Sequence, residues 1–349
     1  MWLSGTTFDT TSFILARAIP TYTANTPLTY SPLREACMDQ IHRITVAICT
    51  YNRATYLPNL VNALRTQQCD IPFNILFINN NSNDNTLGLL EKLSKEPGTP
   101  IRTVTEKQQG IVHARNRAIK ECIHDDFMMI MDDDELPDQA WVATAYAELM
   151  DGTADCVGGK VGVCFELHPR PNWLGDELLG FLAETDYGEK SFDIKDDSTP
   201  IWTANIAYNM RVFRENPDLI FDVRYNREGD KIGGGEDMMM FREFLKRNFK
   251  LKYAPNMIIY HHVEQWRLKR NYFFKLHFIG GRKKANHQHS DYSKTVFGIP
   301  PFLFKQALKQ SLKTAGMFIT HHPLRIRQGM NASHAFGMIY GCYLQKKRS

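Results

Sequence analysis

FMMIMDDDELP, residues 127–137, is a run of five apolar residues followed at once by four carboxylates. The apolar run has the length and composition of a strand covered on both faces, and the carboxylates mark where the chain leaves the core. Side chains two apart on an extended strand end share a side, so Asp132 and Asp134 are expected to converge on one ligand. Two hard oxygen donors at an open edge suit Mg2+ or Mn2+, completed by water and phosphate oxygens. A nucleotide diphosphate brings such oxygens, and the metal then stabilises charge growing on the leaving diphosphate. The competing reading is an acidic loop that caps the next helix, with Pro137 near its first turn. The apolar strand in front of the carboxylates favours the metal.

Working upstream, residues 44–48 read as a buried strand, and residues 57–67 carry apolar positions at helical spacing. Residues 73–78 read as a second strand, NNNSND at 79–84 as a turn cluster, and a helix follows through Leu87, Leu90 and Leu93. Residues 101–105 form a third strand, leading to Gly110 and a helix that carries Arg115 and Asn116. Strands alternating with helices at this spacing imply an α/β fold with a mostly parallel sheet covered on both faces. Ligands of such sheets sit at the carboxyl ends of the strands, where the polar clusters after Ile48, Ile78 and Met131 fall.

Downstream the pattern loosens. Residues 157–165 suit a strand, and the Pro-, Trp- and Gly-rich residues 169–188 suit a mobile loop. Gly233, Gly234 and Gly235 introduce a helix over 236–246, residues 253–263 read as a last strand and turn, and the chain after Tyr272 is basic and helical. Glycines let the backbone approach a ligand closely or adopt positive φ. Glu236 and Asp237 behind them either complement the helix dipole, for about 0.3–1 kcal/mol, or supply a general base for an acceptor hydroxyl. Taken alone, Arg115 with Asn116 reads as a nucleotide contact or as solvated surface, and His261 with His262 as a structural pair. Residues 1–42 form an extension rich in Thr, Ser and Pro, whose one apolar run is Phe13, Ile14 and Leu15; it packs loosely or is partly disordered.

Composition narrows the class. A 349-residue chain with 43% hydrophobic and 23% charged residues holds enough apolar material for a large core. A net charge of +4 lacks the dense basic stripe of a nucleic-acid binder, so no nucleic-acid partner is expected. The seven cysteines are scattered, with no C-x-x-C pair, which argues against a disulfide framework or a zinc site and for a reducing compartment. With no signal-peptide pattern and no run of ~18 apolar residues, a cytoplasmic protein is expected.

In this order the segments resemble a family 2 glycosyltransferase of the GT-A fold. VAICTYNR at 46–53 resembles the family's first strand and "P-T-Y-N-R" turn, with Cys49 where proline is usual. INNNSND at 78–84 resembles "V-D-N-x-S-x-D", with Asn79 in place of aspartate, and QGIVHARN at 109–116 resembles "G-x-x-x-A-R-N". IMDDDELP at 130–137 with Trp141 resembles the D-x-D motif and its trailing residues, Thr203-to-Asn205 the acceptor-side "(G/T)-x-N" strand, and Gly235-to-Asp237 the "G-E-D" motif. Met239 stands where the family often has a further acid, and residues 267–281 resemble exopolysaccharide-type members.

The resemblance covers roughly residues 43–285. It implies a GT-A, Rossmann-like domain there, with a nucleotide-sugar half at 43–150 and an acceptor half at 151–285, followed by a helical tail at 286–349. It further implies an inverting transfer from a nucleotide diphosphate sugar, UDP being the family's commonest carrier, to a saccharide or lipid-linked acceptor. Donor-binding residues would be Thr50, Tyr51, Asn52, Arg53, Asn79, Asn81, Arg115, Asn116, Asp132 and Asp133. Acceptor-binding residues would be Trp202, Thr203, Asn205, Gly234 and Gly235. Asp237 would be the base with Glu236 beside it, and Asp134 and Asp132 would hold Mn2+ or Mg2+, with His262 or its neighbour His261 beside the metal. A nucleotidyltransferase is the rival enzyme, but TYNR at 50–53 stands where it would carry a Gly-rich phosphate loop. A non-catalytic sugar-nucleotide-binding protein is the rival from another class, opposed by the intact Asp132, Asp134 and Asp237.

In the tail, Phe304, Leu308 and Leu312 form one helical stripe and Lys305, Lys309 and Lys313 the next. Such a helix either lies on an anionic membrane surface, with lysines snorkelling to the headgroups, or packs on the catalytic domain with a solvated lysine edge. The membrane reading is favoured, which makes the protein peripheral on the inner face of the cell membrane.

Overall fold

A computed structural model describes residues 42–227, 234–287 and 295–347. The extension at 1–41, Gly233 and Arg348 therefore lie outside the described residues. The first half alternates as its periodicity predicts: β1 (Ile44–Thr50), α1 (Leu57–Arg65), β2 (Phe73–Asn79), α2 (Thr86–Leu93), β3 (Ile101–Thr105), α3 (Ile111–Glu121) and β4 (Phe127–Asp132). The chain continues through β5 (Glu135–Pro137), α4 (Trp141–Met150), β6 (Cys156–Cys164), β7 (Phe192–Ile194), β8 (Asn205–Asn209), α5 (Arg211–Glu215), α6 (Glu236–Lys246) and β9 (Leu251–His262). Three helices follow: α7 (Arg270–His287), α8 (Pro301–Ile319) and α9 (Arg325–Lys346). Residues 42–349 belong to one unit.

Among the described residues the strands form one mixed sheet in the order β3-β2-β1-β4-β8-β6-β9-β5, with β7 beside β9. The β3-β2-β1-β4 half is parallel, and β8 runs antiparallel to both β4 and β6. Continuous apolar runs form β1 and β4 because both faces are covered. Ala47 and Cys49 face one apolar cluster, with α3 and α6, while Ile44, Val46 and Ile48 face the other, with α1 and α4.

Register lines up the polar strand ends. Thr50 pairs with Asn79, and Cys49 with Asp132. Antiparallel β8 brings Asn205 opposite Met131 at that same edge, and β9 brings His261 opposite Glu135.

One feature differs from expectation. The segment 169–188 is held by the 3-10 turn Asp176–Leu182, whose Leu178, Leu179 and Leu182 are buried with Phe273 of α7 and with Ile326 and Met330 of α9. Three leucines in one turn supply enough apolar surface to dock what the flanking Pro and Gly suggested was mobile. In addition, α7 and α9 interlock through glycines. A Cβ on Gly281 would sit 2.1 Å from the His334 carbonyl oxygen, and one on Gly337 2.0 Å from that of Phe278. Only glycine lets the two backbones approach this closely.

Candidate active site

The sheet edge opens into a cleft lined by the ends of β1 and β4, the start of α6, and His261 of β9. Of the residues singled out by sequence, Thr50, Tyr51, Arg53, Arg115, Asp132, Asp133, Asp134, Gly234, Gly235, Glu236 and Asp237 all line it. Gly234 and Gly235 have φ of 140° and 113°, a region that a side chain would strain, and they deliver the backbone into the first turn of α6.

Two guanidinium groups organise the carboxylates. Arg115, buried on α3, donates to Glu236 Oε1 at 2.8 Å, Asp237 Oδ1 at 2.6 Å and Asp132 Oδ1 at 3.3 Å. It thus ties the two motifs flanking the cleft to each other. Arg53 reaches Asp133 Oδ1 at 3.2 Å, Asp134 Oδ2 at 3.5 Å and Glu264 Oε1 at 2.7 Å.

These surroundings set the charge states. Burial pushes Asp237 up to about 6, against the pull of Arg115, with Glu236 adding to the rise. Thr203 Oγ1 donates to Asp237 Oδ1 at 2.5 Å, which fixes the carboxylate, and the side chain keeps about 24% of its surface open. Burial likewise raises Asp133 to about 7, opposed by Arg53. Asp134 is the exception: burial would raise it, but His261, Arg267 and Arg53 together outweigh that and hold it well below the usual carboxylate range.

The expected convergence of Asp132 and Asp134 along a strand is corrected. β4 stops at Asp132, and Asp133 with Asp134 forms a turn before β5. Asp132 faces Arg115, whereas Asp134 faces His261, whose Nδ1 lies 3.4 Å from Asp134 Oδ1. The sequence leaves His261 and His262 as alternatives beside the metal. Alternation along β9 turns His261 into the cleft, while His262 is tied to Asp134 by its backbone, its N–H donating to the Asp134 carbonyl at 3.0 Å.

Among the described residues no three His, Cys, Asp or Glu side chains already surround one point. A divalent cation nevertheless suits the donors on the cleft wall. Asp134 stays ionised and Asp132 is open to the cleft, while Arg267 donates to His261 Nε2 at 3.0 Å and leaves the Nδ1 proton facing Asp134.

Several predicted contact residues also bond within the scaffold. Asn116 uses both ends of its amide on the Phe221 backbone, at 2.9 and 2.8 Å. Asn205 accepts from Trp141 Nε1 and donates to the Lys160 and Met257 carbonyls. Asn79 Oδ1 accepts from the Ser82 N–H, and Asn52 Oδ1 from the Asn83 N–H, so both shape the turn after β2. Asn81 and Trp202 are not on the cleft wall, and Thr203 acts through Asp237.

Sequence reasoning missed Arg267, Arg227, Asn80 and Ala183, which also line the cleft. It missed Lys283 of α7 as well, whose Nζ donates to the Gly234 carbonyl at 3.1 Å. Lys283 sits in the basic run 282–284, Arg267 heads the segment 267–281 and Asn80 lies in the turn cluster, but none of these patterns tells which side chain meets the cleft. Asn80 Oδ1 accepts from the Gly110 N–H at 2.7 Å and so anchors the start of α3.

Residues 45–231, more than half of the chain, match the family model described as Glycosyl transferase family 2. The chain belongs to that family. It is 28% identical over 114 residues to the teichoic acid poly(glycerol phosphate) polymerase of Staphylococcus epidermidis, a match covering 32% of this chain and 15% of that protein. It is 27% identical over 110 residues to the chondroitin synthase of Pasteurella multocida, covering 31% and 11%. The aligned part is thus a small fraction of either relative's length. A mannosyltransferase from Pyrobaculum calidifontis, solved in complex with GDP-Man and Mn2+, shares the fold with a TM-score of 0.57 at 15% identity over 88% of each chain. S. aureus TarS in complex with UDP does so with a TM-score of 0.51 at 15% identity, over 87% of this chain and 91% of that one. The fold of this family 2 glycosyltransferase is accordingly of the GT-A type.

Proposed function

We propose that this glycosyltransferase moves a sugar, with inversion, from a nucleotide diphosphate sugar, UDP-linked in the first instance, to a hydroxyl of a saccharide or lipid-linked acceptor. The observation that carries the reading is Asp237, a cleft carboxylate fixed by Thr203 and Arg115 and raised to about 6. A base with that pKa is ionised at neutral pH yet still takes up a proton readily. Asp237 removes the acceptor hydroxyl proton as the oxygen attacks the anomeric carbon. The bond from that carbon to the diphosphate oxygen breaks, and its electron pair leaves with the diphosphate. Arg53 and Arg267 lie on the wall of Asp134, where a departing diphosphate would meet positive charge.

Asp134, oriented by His261, would hold Mn2+ or Mg2+, which when bound would neutralise diphosphate charge. Asp132, open to the cleft and steadied by Arg115, would contact the donor's ribose or share the metal. The division into a donor half at 43–150, an acceptor half at 151–285 and a helical tail, and a cytoplasmic setting, form part of the same proposal.

A panel of UDP-, GDP- and dTDP-sugars tests it. With Mn2+ or Mg2+ present, one nucleotide class should raise the melting temperature by mass action and slowly release its nucleoside diphosphate. Neither stabilisation nor release with any donor would overturn the reading.

A further inference from the structure

On α8, Leu303 and Ala307 are buried, and Gln310 accepts from Gln328 of α9 at 2.6 Å. The stripe one residue further round is open: Phe304, Leu308, Leu312 and Ile319 are 41%, 61%, 66% and 79% exposed. Lys305, Lys309 and Lys313 lie exposed alongside it. Nineteen residues make α8 about 28 Å long, and no described helix is long and apolar enough to cross a membrane. An apolar stripe of this length, edged by lysines on a helix that cannot span, fits the boundary between headgroups and acyl chains.

Charge selects the occupant. Residues 267–349 hold sixteen Lys and Arg against one acid, Asp291, while the whole chain holds 42 against 38, so the first 266 residues hold 26 against 37. α7, α8 and α9 contain no Asp or Glu. A second copy docking on this face would set like-charged lysine stripes together, whereas anionic lipid neutralises them.

We propose that α8 docks the protein on an anionic membrane surface, with Phe304, Leu308 and Leu312 inserted and the three lysines on lipid phosphates. α8 stacks on α9, α9 interlocks with α7, and α7 places Lys283 against Gly234 at the cleft. Docking therefore fixes the orientation of the cleft relative to the surface, whether or not the acceptor carries lipid.

Flotation of the full-length protein with phosphatidylcholine vesicles, with and without phosphatidylglycerol, tests this. Binding is expected with phosphatidylglycerol at low salt, falling as salt rises. Lys305→Gln/Lys309→Gln/Lys313→Gln and Leu308→Ser/Leu312→Ser should each weaken it at least about tenfold. All five side chains are exposed, so both variants should keep the wild-type melting temperature. Absence of wild-type binding at low salt, or two folded variants that bind as wild type does, would overturn the proposal. A dimer lost in the leucine variant without vesicle binding would assign the face to a second copy.

Discussion

Replacing Arg115 with Met removes the cation that, among the described residues, touches Asp132, Glu236 and Asp237 together. Breaking a buried ion pair from one side costs about 3–5 kcal/mol, because carboxylates stay behind without their partner. At ~2 °C per kcal/mol for a domain this large, the melting temperature should fall by roughly 6–10 °C at neutral pH. The sign of the pH effect follows from Asp237. Its carboxyl already sits above its usual value, at about 6, so its ionisation opposes folding as pH rises through that range. Loss of Arg115 raises it further, by about 1–3 units. The gap in stability between variant and wild type should therefore widen from pH 5 to pH 8, and the acid limb of kcat/KM should move up from near 6. Thermal melts and nucleoside diphosphate release across that pH range measure both effects. Arg115→Lys should recover much of the stability and less of the rate, since it restores charge without the three-way geometry. An Arg115→Met variant that melts within about 2 °C of wild type, with its acid limb unmoved, would refute the reasoning.

Asp134→Ala should abolish metal-linked nucleotide binding while the protein stays folded, and calorimetric titration of UDP with Mn2+ checks it; unchanged affinity would remove Asp134 from the metal site. Leu182→Ala, in the buried turn before Ala183 of the cleft wall, should cost about 2–5 kcal/mol by cavity formation, read from chemical denaturation. A cost near zero would mean that the turn is loosely held after all.

The parallel half of the sheet was legible because burial on both faces leaves unbroken apolar runs, as in β1 and β4. The strand ends were legible for the complementary reason: Asn79, Asp132 and their neighbours are polar where the pattern stops. The turn holding Leu178, Leu179 and Leu182 was read as mobile, since its partners Phe273, Ile326 and Met330 lie far along the chain. The edge strands β5 and β7, three residues each, are too short to show a period. Within the site, Asp237 and Arg115 came from their motifs, but their direct contact depends on α3 and α6 meeting across the sheet edge. Which of His261 and His262 faces the cleft stays open in the sequence, because the phase of β9 is set by pairing with β5 and β6, which local sequence does not encode. Lys283 belongs to a helix whose position rests on glycine packing against α9.

Asp237→Asn tests the central claim most directly, because it removes the base and leaves Asp134, His261 and Arg53 in place. Nucleotide-sugar binding by calorimetry and transfer to a matched acceptor should be measured on the same folded preparation. The account predicts donor affinity within a few fold of wild type and transfer reduced at least about a hundredfold, the usual range for losing a general base. Transfer close to wild type with donor binding intact would contradict it.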